Sequence, residues 1–413
     1  MDFLNRFFRG DRVVWVIFII LILVSVIEVF SAASTLTYIG DRSYLWAIRG
    51  HSTNLLLGFI VVYIAHLIPY RFYKAVPIVL LPVSVGMLIW LLFDKSDAIN
   101  DASRWIPIGP ISIQPSELAK VGVVMGTALI LSRTQTDDGA TPDAFKWLLG
   151  MSLVVCGLIV PENLSTAALL FLVVLGMMWV GRIPWSQYGK LLLSLVVVGT
   201  IFLSIMIFVP PTTLSKIPVL NRLETWQGRI LRFVHPSPPV PAAQFTVPDD
   251  KFQEVHATMA IASSNIVGRG PGNSVERDIL PQAYSDFIFA IIIEELGLLG
   301  GIGVVFLYLW LLVRAAKIAR RCRSYFPAFL VMGCALMLVA QAMLNMMVAV
   351  GLFPVTGQPL PLISRGGTST VINCAYIGMI LSVSYYTDKL EREAEVKEEN
   401  SEADIPEILR DEQ

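Results

Sequence analysis

The chain has 413 residues, of which 55% are hydrophobic and only 15% are charged, and its mean hydropathy is +0.67. Soluble domains carry charged residues at about a quarter of their positions, so this composition excludes an ordinary soluble domain and indicates an integral membrane protein. The formal net charge is −1 and no basic tail is present, which argues against a nucleic-acid partner. The four cysteines form no Cys-x-x-Cys pair and the four histidines are scattered, so the sequence predicts neither a disulfide framework nor a zinc site.

Ten apolar segments follow one another along the chain, and a helix needs roughly 20 residues to cross the hydrocarbon core of a bilayer. The first segment lacks a small-residue cleavage site after a short apolar core, so we interpret it as a retained helix and not as a removed signal peptide. The predicted fold class is an all-α polytopic membrane protein with about ten transmembrane helices. The segments are 13–33, 54–69, 76–94, 115–132, 147–161, 164–181, 190–209, 285–313, 326–350 and 367–386.

The placement of basic residues predicts the orientation of these helices. Arg and Lys are concentrated before the first segment and in the short loops on the same side, most densely over 314–323. That side is expected to be cytoplasmic, and an even number of spans returns the C-terminus to it. The loop 211–284 between helices 7 and 8 is then extracytoplasmic, and its prolines argue against a compact independent domain. We take 1–386 as the transmembrane domain and predict that the acidic tail 387–413 is disordered.

The first polar motif runs from Arg104 through Gln114 to Lys120, ahead of and into the fourth segment. Glu117 and Lys120 are three residues apart and therefore share one helical face, about a turn from the outer interface. Two interpretations are open: an ion pair that neutralises itself for membrane insertion, or a polar lining to an outward-facing cavity. The spacing alone does not separate them.

Asp286 is a lone carboxylate that opens the eighth apolar segment on its outer side. Taken alone, an acid stabilised by the dipole of a helix N-terminus is the simpler interpretation. Ionisable groups at membrane depth are costly and mark functional sites, so a general base towards a sugar hydroxyl is the alternative. Glu294 and Glu295 follow eight and nine residues later. A continuous helix places them about 12–13 Å deeper, buried against polar groups of a neighbouring helix.

The run 354–369 combines helix breakers with small polar residues before the last segment. Irregular backbone at membrane depth is stable only where it is buried in protein or faces a wet cavity. Gly366 and Gly367 precede a helix N-terminus that can receive an anion, and Arg365 adds a fixed positive charge suited to a phosphate. We therefore predict that Ser364 and Arg365 contact a charged substrate.

In their order and spacing, four runs together resemble the SEDS family of bacterial cell-wall proteins, whose members include FtsW, RodA and SpoVE. The runs are 104–120, 268–274, 280–297 and 354–369. The resemblance implies a ten-helix peptidoglycan glycosyltransferase that polymerises lipid II, a polyprenyl-diphosphate-linked disaccharide pentapeptide, on the outer face of the bacterial cytoplasmic membrane. It also implies a class B penicillin-binding protein and other division proteins as partners and, by analogy, a divalent cation (Mg²⁺ or Mn²⁺) as cofactor.

The resemblance carries three residue roles into this sequence. The essential outer-loop acid of the family falls on Asp286, and its Glu/Lys pair falls on Glu117 and Lys120. Ala283 stands where RodA-like members tend to have Arg, which favours an FtsW-like protein of the division septum over a RodA-like elongation polymerase. The chain departs from the common family pattern at Asn163, His256, Ala262 and Arg365.

We therefore hypothesise that Asp286 deprotonates or positions the acceptor hydroxyl. The predicted charge-stabilising groups are Lys120, Arg104 and Arg365, and Gln114 and Ser364 are further predicted substrate contacts. Two alternatives from other classes stay open: a lipid II flippase or transporter that needs no catalytic base, and a non-catalytic scaffold of the division machinery.

Overall fold

A computed structural model describes residues 8–32, 44–93, 105–108, 111–209, 223–234, 252–280 and 284–403. These residues form thirteen α-helices and two short antiparallel hairpins, β1–β2 and β3–β4. The elements in chain order are α1 Arg12–Ala32, α2 Tyr44–Leu67, α3 Val76–Phe93, β1 Ile106–Ile108, β2 Ile111–Ile113, α4 Pro115–Thr134, β3 Gln135–Thr136, β4 Gly139–Ala140, α5 Pro142–Ile159, α6 Leu164–Val180, α7 Trp185–Phe208, α8 Leu223–Val234, α9 Phe252–Ser263, α10 Glu276–Ile279, α11 Ile288–Arg321, α12 Tyr325–Ala349 and α13 Thr368–Ala403.

Each of the ten predicted apolar segments coincides with one of these helices, so the predicted fold class is confirmed. Within the described residues, nine helices are long and apolar enough to cross a membrane, and α6 is a shorter apolar helix of 17 residues. Helices α4, α12 and α13 are the most buried, whereas few residues of α7 are buried. The helices therefore form one bundle with α4, α12 and α13 at its centre.

Small residues let helices α2 and α13 run side by side at close range. A Cβ on Gly378 would lie 2.5 Å from Cβ of Ala65, and a Cβ on Gly58 would lie 2.7 Å from Sγ of Cys374. Close backbone approach at small residues is how transmembrane helices gain packing energy when lipid is as apolar as their side chains. The contact fixes where α13 begins, and therefore where the preceding irregular run lies.

Helix α11 is two helices joined at Gly297. Gly297 has φ +74°, a left-handed conformation that glycine adopts without strain. The side chains of Ile293 and Phe289 both lie beside Gly301, although a continuous helix would separate them from it by about 12 and 18 Å along its axis. The segment 288–296 therefore folds back against the segment that follows Gly297, and the chain reverses direction there.

The reversal sets the depth of Asp286. Glu295, beside the bend, accepts a hydrogen bond from Ser31 at the outer end of α1. Ser25, six residues earlier on α1 and so about 9 Å deeper, donates to the carbonyl of Ile363 at 2.6 Å. Ser364, the next residue, donates to the carbonyl of Ser285 at 2.6 Å. Asp286 therefore lies deeper in the bundle than Glu295, and the prediction that Glu294 and Glu295 lie further in was wrong, because it assumed a continuous helix.

The C-terminal helix differs from the sequence prediction at its far end. Helix α13 continues to Ala403, so the first part of the acidic tail is helical where disorder was predicted. Arg321 pairs with Asp388 at 2.8 Å and with Glu391, and Lys389 lies 3.7 Å from Glu393. These pairs give the tail cross-helix and i,i+4 partners that its composition alone does not reveal. Residues 404–413 lie outside the described part of the chain.

Candidate active site

Asp286 ends a short turn, 284–286, directly before the ascending segment 288–296 of α11. Its side chain is half-buried, and Ser285 Oγ donates to its Oδ1 at 3.0 Å. A Cβ placed on Gly357 would lie 3.7 Å from Oδ2, so the run before α13 faces this oxygen with a residue that has no side chain. The carboxylate is thus held by its neighbour on one oxygen and approached closely by backbone near the other.

The irregular run 354–367 is folded into the bundle and pinned to the Asp286 turn. Arg365 N donates to the carbonyl of Tyr284 at 2.9 Å, and its guanidinium lies 5.4 Å from the centre of the Tyr284 ring. Ser364 Oγ accepts from Leu360 N at 2.8 Å while it donates to Ser285. Leu360 and Ser364 are buried. The predicted substrate contacts Ser364 and Arg365 therefore lie beside Asp286. The hydroxyl of Ser364 links the irregular run to the turn 284–286.

Two amide side chains on α12, Asn345 and Gln341, bond backbone carbonyls of this site, and neither is among the residues predicted from the sequence. Asn345 Nδ2 donates to the carbonyls of Asp286 and Gln358, each at 2.8 Å. One turn deeper, Gln341 Nε2 donates to the carbonyl of Pro359 at 3.0 Å. Both side chains are buried. Their i,i+4 spacing on an apolar helix was the available signal, because two polar groups on one face require a shared polar neighbour.

Glu117 and Lys120 form a buried ion pair, with Lys120 Nζ 2.7 Å from Glu117 Oε1. Lys120 is fully buried and also donates to Gln341 Oε1 at 3.1 Å. Of the two open interpretations the geometry favours the ion pair, since the ammonium is bonded inside the protein. Through Gln341 the pair supports the carbonyl of Pro359, and so it supports the wall of the site.

The remaining predicted contacts lie at the start of α4. Gln114 precedes this helix, and its Nε2 donates to Ser116 Oγ at 3.1 Å. Thr368, the first residue of α13, donates to the carbonyl of Ser112 in β2 at 2.9 Å. The hairpin β1–β2 therefore lies against the end of the irregular run. Arg104 is outside the described residues.

Three helix N-termini, those of α13, α6 and α11, meet the irregular run. Thr368 of α13 contacts β2 just before α4, Thr166 of α6 accepts from Gln358 Nε2 at 2.7 Å, and the turn before α11 is held by Asn345 and Ser364. A helix N-terminus carries a partial positive charge of about half a unit. Together with Arg365, these termini make the site favourable for an anion, as broken helices do near the membrane midplane of transporters.

Glu294 and Glu295 are fully buried; the loop after α9 holds both, and Glu295 also accepts a hydrogen bond from Ser31 of the transmembrane helix α1. Glu294 Oε1 accepts from Val275 N at 3.1 Å and lies 3.2 Å from Arg269. Glu295 lies 3.5 Å from Arg277. Gly268 packs so closely on the bend that a Cβ there would overlap the backbone of Glu295 and Gly297. The predicted burial against a neighbouring helix therefore holds for Glu295 through Ser31, whereas the partners of Glu294 belong to the extracytoplasmic loop.

Two departures from the family pattern have structural roles. Asn163 Oδ1 accepts from Thr166 N at 3.1 Å and caps the N-terminus of α6. His256 Nδ1 lies 2.5 Å from Glu276 Oε2 and joins α9 to α10. Neither residue contacts Asp286 in these bonds, so the two changes affect the helices around the site and not the carboxylate itself.

An apolar cavity of about 450 Å³ lies beside the site, between helices α6, α7, α8 and α12. Its lining includes Leu169, Met343 and Trp226, with Asn163 and Thr356 as polar members. Thr356 adjoins Gly357, which faces Asp286. Arg229, also in the lining, donates to the carbonyl of Val355 at 3.1 Å. A long hydrocarbon chain can therefore lie next to a polar, anion-favouring site that carries one carboxylate.

Comparison with known proteins decides the family. The model of the FTSW_RODA_SPOVE family, described as "Cell cycle protein", matches residues 11–389. The chain belongs to the FtsW/RodA/SpoVE family. Among FtsW/RodA/SpoVE relatives, it is 31% identical over 346 residues to the probable peptidoglycan glycosyltransferase FtsW of Hahella chejuensis, covering 82% of this chain and 80% of that protein. It is 32% identical over 311 residues to the protein of the same name from Bacillus subtilis, covering 74% and 73%.

Solved structures of FtsW/RodA/SpoVE type share the fold. A chain from a peptidoglycan synthase complex that coordinates polymerization and crosslinking has a TM-score of 0.68 and 25% identity, covering 92% of this chain and 98% of that one. RodA of Thermus thermophilus, a rod shape determining protein, has a TM-score of 0.62 and 22% identity, covering 91% and 96%. The match to RodA supports the architecture of the whole bundle.

Proposed function

We propose that this chain is a peptidoglycan glycosyltransferase that polymerises lipid II at the outer face of the bacterial cytoplasmic membrane. The observation that carries the proposal is the pairing of one half-buried carboxylate, Asp286, with an anion-favouring irregular run, beside an apolar cavity. A lipid-linked sugar diphosphate needs these three environments together. The relatives named as glycosyltransferases support the same reaction class.

The reaction joins the C4 hydroxyl oxygen of one lipid II sugar to the anomeric carbon of another. The bond between that carbon and the pyrophosphate oxygen breaks, and polyprenyl diphosphate leaves. Asp286 takes the hydroxyl proton as the new bond forms, because a sugar hydroxyl is too weak an acid to ionise first. Assistance of this kind contributes about 10²–10⁴-fold to a rate. The bond from Ser285 to Oδ1 holds the carboxylate orientation.

Negative charge grows on the pyrophosphate as it leaves, and Arg365 with the surrounding helix N-termini stabilises it. Lys120 acts through Gln341, whose amide fixes the carbonyl of Pro359. It is therefore a positioning residue in this geometry. Gln114, at the head of α4, stays a predicted substrate contact, as does Arg104, which lies outside the described residues.

A divalent cation is part of the proposal by family analogy. Among the described residues no group of three or more His, Cys, Asp or Glu side chains could hold a metal. Asn345, whose Nδ2 bonds the carbonyl of Asp286, has a buried Oδ1 with no hydrogen-bond partner among the described residues. Mg²⁺ commonly binds through one or two carboxylates plus substrate phosphates, so Asp286 is the residue that would hold it. When bound, the ion would neutralise charge on the pyrophosphate.

We predict that Asp286→Asn lowers lipid II polymerisation by at least about 10²-fold, because the amide cannot accept the proton yet keeps the size of the side chain. Asn345 bonds the backbone of residue 286 and not its side chain, so the fold should be retained. The measurement is glycan polymer formed by the purified full chain together with its penicillin-binding partner. The matched control is Asp143→Asn, an exposed acid at the start of α5, which should polymerise normally.

The polymerisation assay, together with a measurement of lipid II transport across vesicles, distinguishes the proposed function from the other functional classes. Wild-type polymerisation by Asp286→Asn would remove the base assignment. A flippase would move lipid II across vesicles without forming polymer, and a scaffold would show neither activity. Either result for the unmodified chain, assayed with its partner, would replace the proposed function.

A further inference from the structure

A second cavity, of about 720 Å³, lies at the cytoplasmic end of the bundle, far from Asp286. Unlike the first, it is lined mainly by charged side chains. It lies where α1 begins, where α11 ends and where α13 leaves the bundle. The backbone of 9–11 is fixed there, since a Cβ on Gly10 would lie 2.6 Å from the carbonyl oxygen of Leu381. Trp15 Nε1 also donates to the carbonyl of Arg9 at 2.9 Å. The cavity is thus part of the folded bundle.

Basic side chains dominate the lining of this cavity. Among the described residues, the lining has six basic side chains and three acids, Asp11, Asp388 and Glu393, so positive charges exceed negative charges by three. Including Glu391, which pairs with Arg321 outside the lining, still leaves an excess of two. The six basic residues in the lining are Arg9, Arg12, Arg314, Arg321, Lys389 and Arg392.

The acids present are engaged in holding the walls. Asp11 Oδ1 accepts from the amides of Val13 and Val14 at 2.9 and 3.1 Å and caps α1. Its Oδ2 lies 2.6 Å from Arg314. Asp388 lies 2.8 Å from Arg321. These contacts join α1, α11 and α13, and the described lining still carries more basic than acidic side chains, a balance that favours binding of an anion.

The depth of the cavity indicates the kind of anion. The apolar part of α1 starts at Val13, immediately after Arg12, and the apolar part of α11 ends near Val313. The cavity therefore lies at the level of the inner-leaflet headgroups. Phe8 and Tyr385 border it, and the Arg9 guanidinium lies 5.4 Å from the centre of the Tyr385 ring. Aromatic side chains beside basic ones are typical of the membrane interface, where basic pockets bind anionic lipid phosphates.

We infer that this cavity binds the phosphate headgroup of an anionic inner-leaflet phospholipid, which bridges α1, α11 and α13 at the cytoplasmic face. The negative phosphate of the lipid complements the excess of basic side chains in the described lining, while its acyl chains lie along the exposed apolar residues of α1, such as Val16 and Ile20. The site is separate from the proposed glycosyltransferase chemistry and does not depend on it.

The test measures binding of phosphatidylglycerol to the purified full chain in mixed micelles, followed by the rise in thermal unfolding temperature. We expect Lys389→Gln/Arg392→Gln to bind about 30-fold more weakly, since each basic residue near an anionic headgroup contributes roughly a factor of five to six. Both residues are exposed, so their loss should not unfold the chain. Glu393→Gln removes a negative charge from the lining and should bind more tightly than wild type.

The matched control is Lys317→Gln/Arg320→Gln, which removes the same charge from exposed positions of α11 that do not line the cavity. It should bind like wild type. Equal losses in the control and cavity variants would mean attraction to the surface as a whole and would overturn the site. Inorganic phosphate and phosphatidylcholine are the comparison ligands. If inorganic phosphate alone raised the unfolding temperature as much as phosphatidylglycerol does, the ligand would be a soluble anion and not a lipid. If phosphatidylcholine raised it equally, the negative charge of the headgroup would not be what the cavity recognises.

Discussion

At the scale of single residues, the site depends on buried side chains that hold its backbone in place. Gln341 and Asn345 bond the carbonyls of Pro359, Gln358 and Asp286, and thereby fix an irregular run inside an apolar bundle. Glu117 and Lys120 lie behind them. Backbone carbonyls buried at membrane depth need such donors, because lipid supplies none. The buried ion pair is therefore part of the support for the run that faces Asp286.

We predict that Lys120→Met destabilises the chain by about 3–5 kcal/mol, because it leaves Glu117 buried without its counter-charge. The double change Glu117→Gln/Lys120→Met should recover part of that loss, since no uncompensated charge remains. Thermal unfolding of the three variants in the same detergent measures both effects. A double variant as unstable as Lys120→Met would show that the charge of Glu117 is not the cause.

At the scale of elements, the reversal at Gly297 is the feature that sequence reasoning could not supply. The ten apolar segments were predictable, because bilayer thickness sets a minimum helix length that composition reveals. The polar motifs also predicted Asp286, Ser364 and Arg365 as site residues, and the structure brings these three together. A glycine inside an apolar run gives no such signal, since the same residue occurs in straight transmembrane helices. The depth of Asp286 could therefore not be predicted from the sequence, because it depends on how the 264–275 loop packs against the bend.

We predict that Gly297→Ala lowers both stability and polymerisation. A left-handed φ costs a residue with a Cβ about 1–3 kcal/mol. The added Cβ would also overlap the carbonyl of Ile266 and the amide of Gly268. The matched control is Gly303→Ala on the same helix, where a Cβ meets nothing within 4 Å and helix propensity improves. Thermal unfolding and the polymerisation assay are the measurements, and equal behaviour of the two variants would contradict the role of the bend.

At the scale of the whole molecule, the bundle presents two different faces. The outer half collects broken helices, helix N-termini and Asp286, while the cytoplasmic end collects arginines around a headgroup-level cavity. Helix α7 exposes apolar side chains such as Leu193, Val196 and Val198, as expected of a helix that faces lipid or another membrane protein. This asymmetry agrees with chemistry at the outer face and anchoring at the inner one.

We predict that the tagged full chain co-purifies with a class B penicillin-binding protein of the division machinery and localises at the septum. The relatives named FtsW and the fold shared with a chain of a peptidoglycan synthase complex support this assignment. Affinity purification after membrane solubilisation, with fluorescence microscopy of the same fusion, measures both. Recovery of an elongation transpeptidase, with label along the side wall, would reverse the choice between division and elongation.

The folded-back segment 288–296 also constrains how this protein can change over evolution. It connects the bend, fixed by the 264–275 loop, to the turn 284–286, whose backbone carbonyls accept hydrogen bonds from Asn345 of α12 and Ser364 of the irregular run. One inserted residue would raise the helix by 1.5 Å and rotate its end by about 100°, which would carry Asp286 away from Ser364 and Asn345. Substitutions within 288–296 are therefore compatible with this geometry, whereas insertions or deletions in the segment are not.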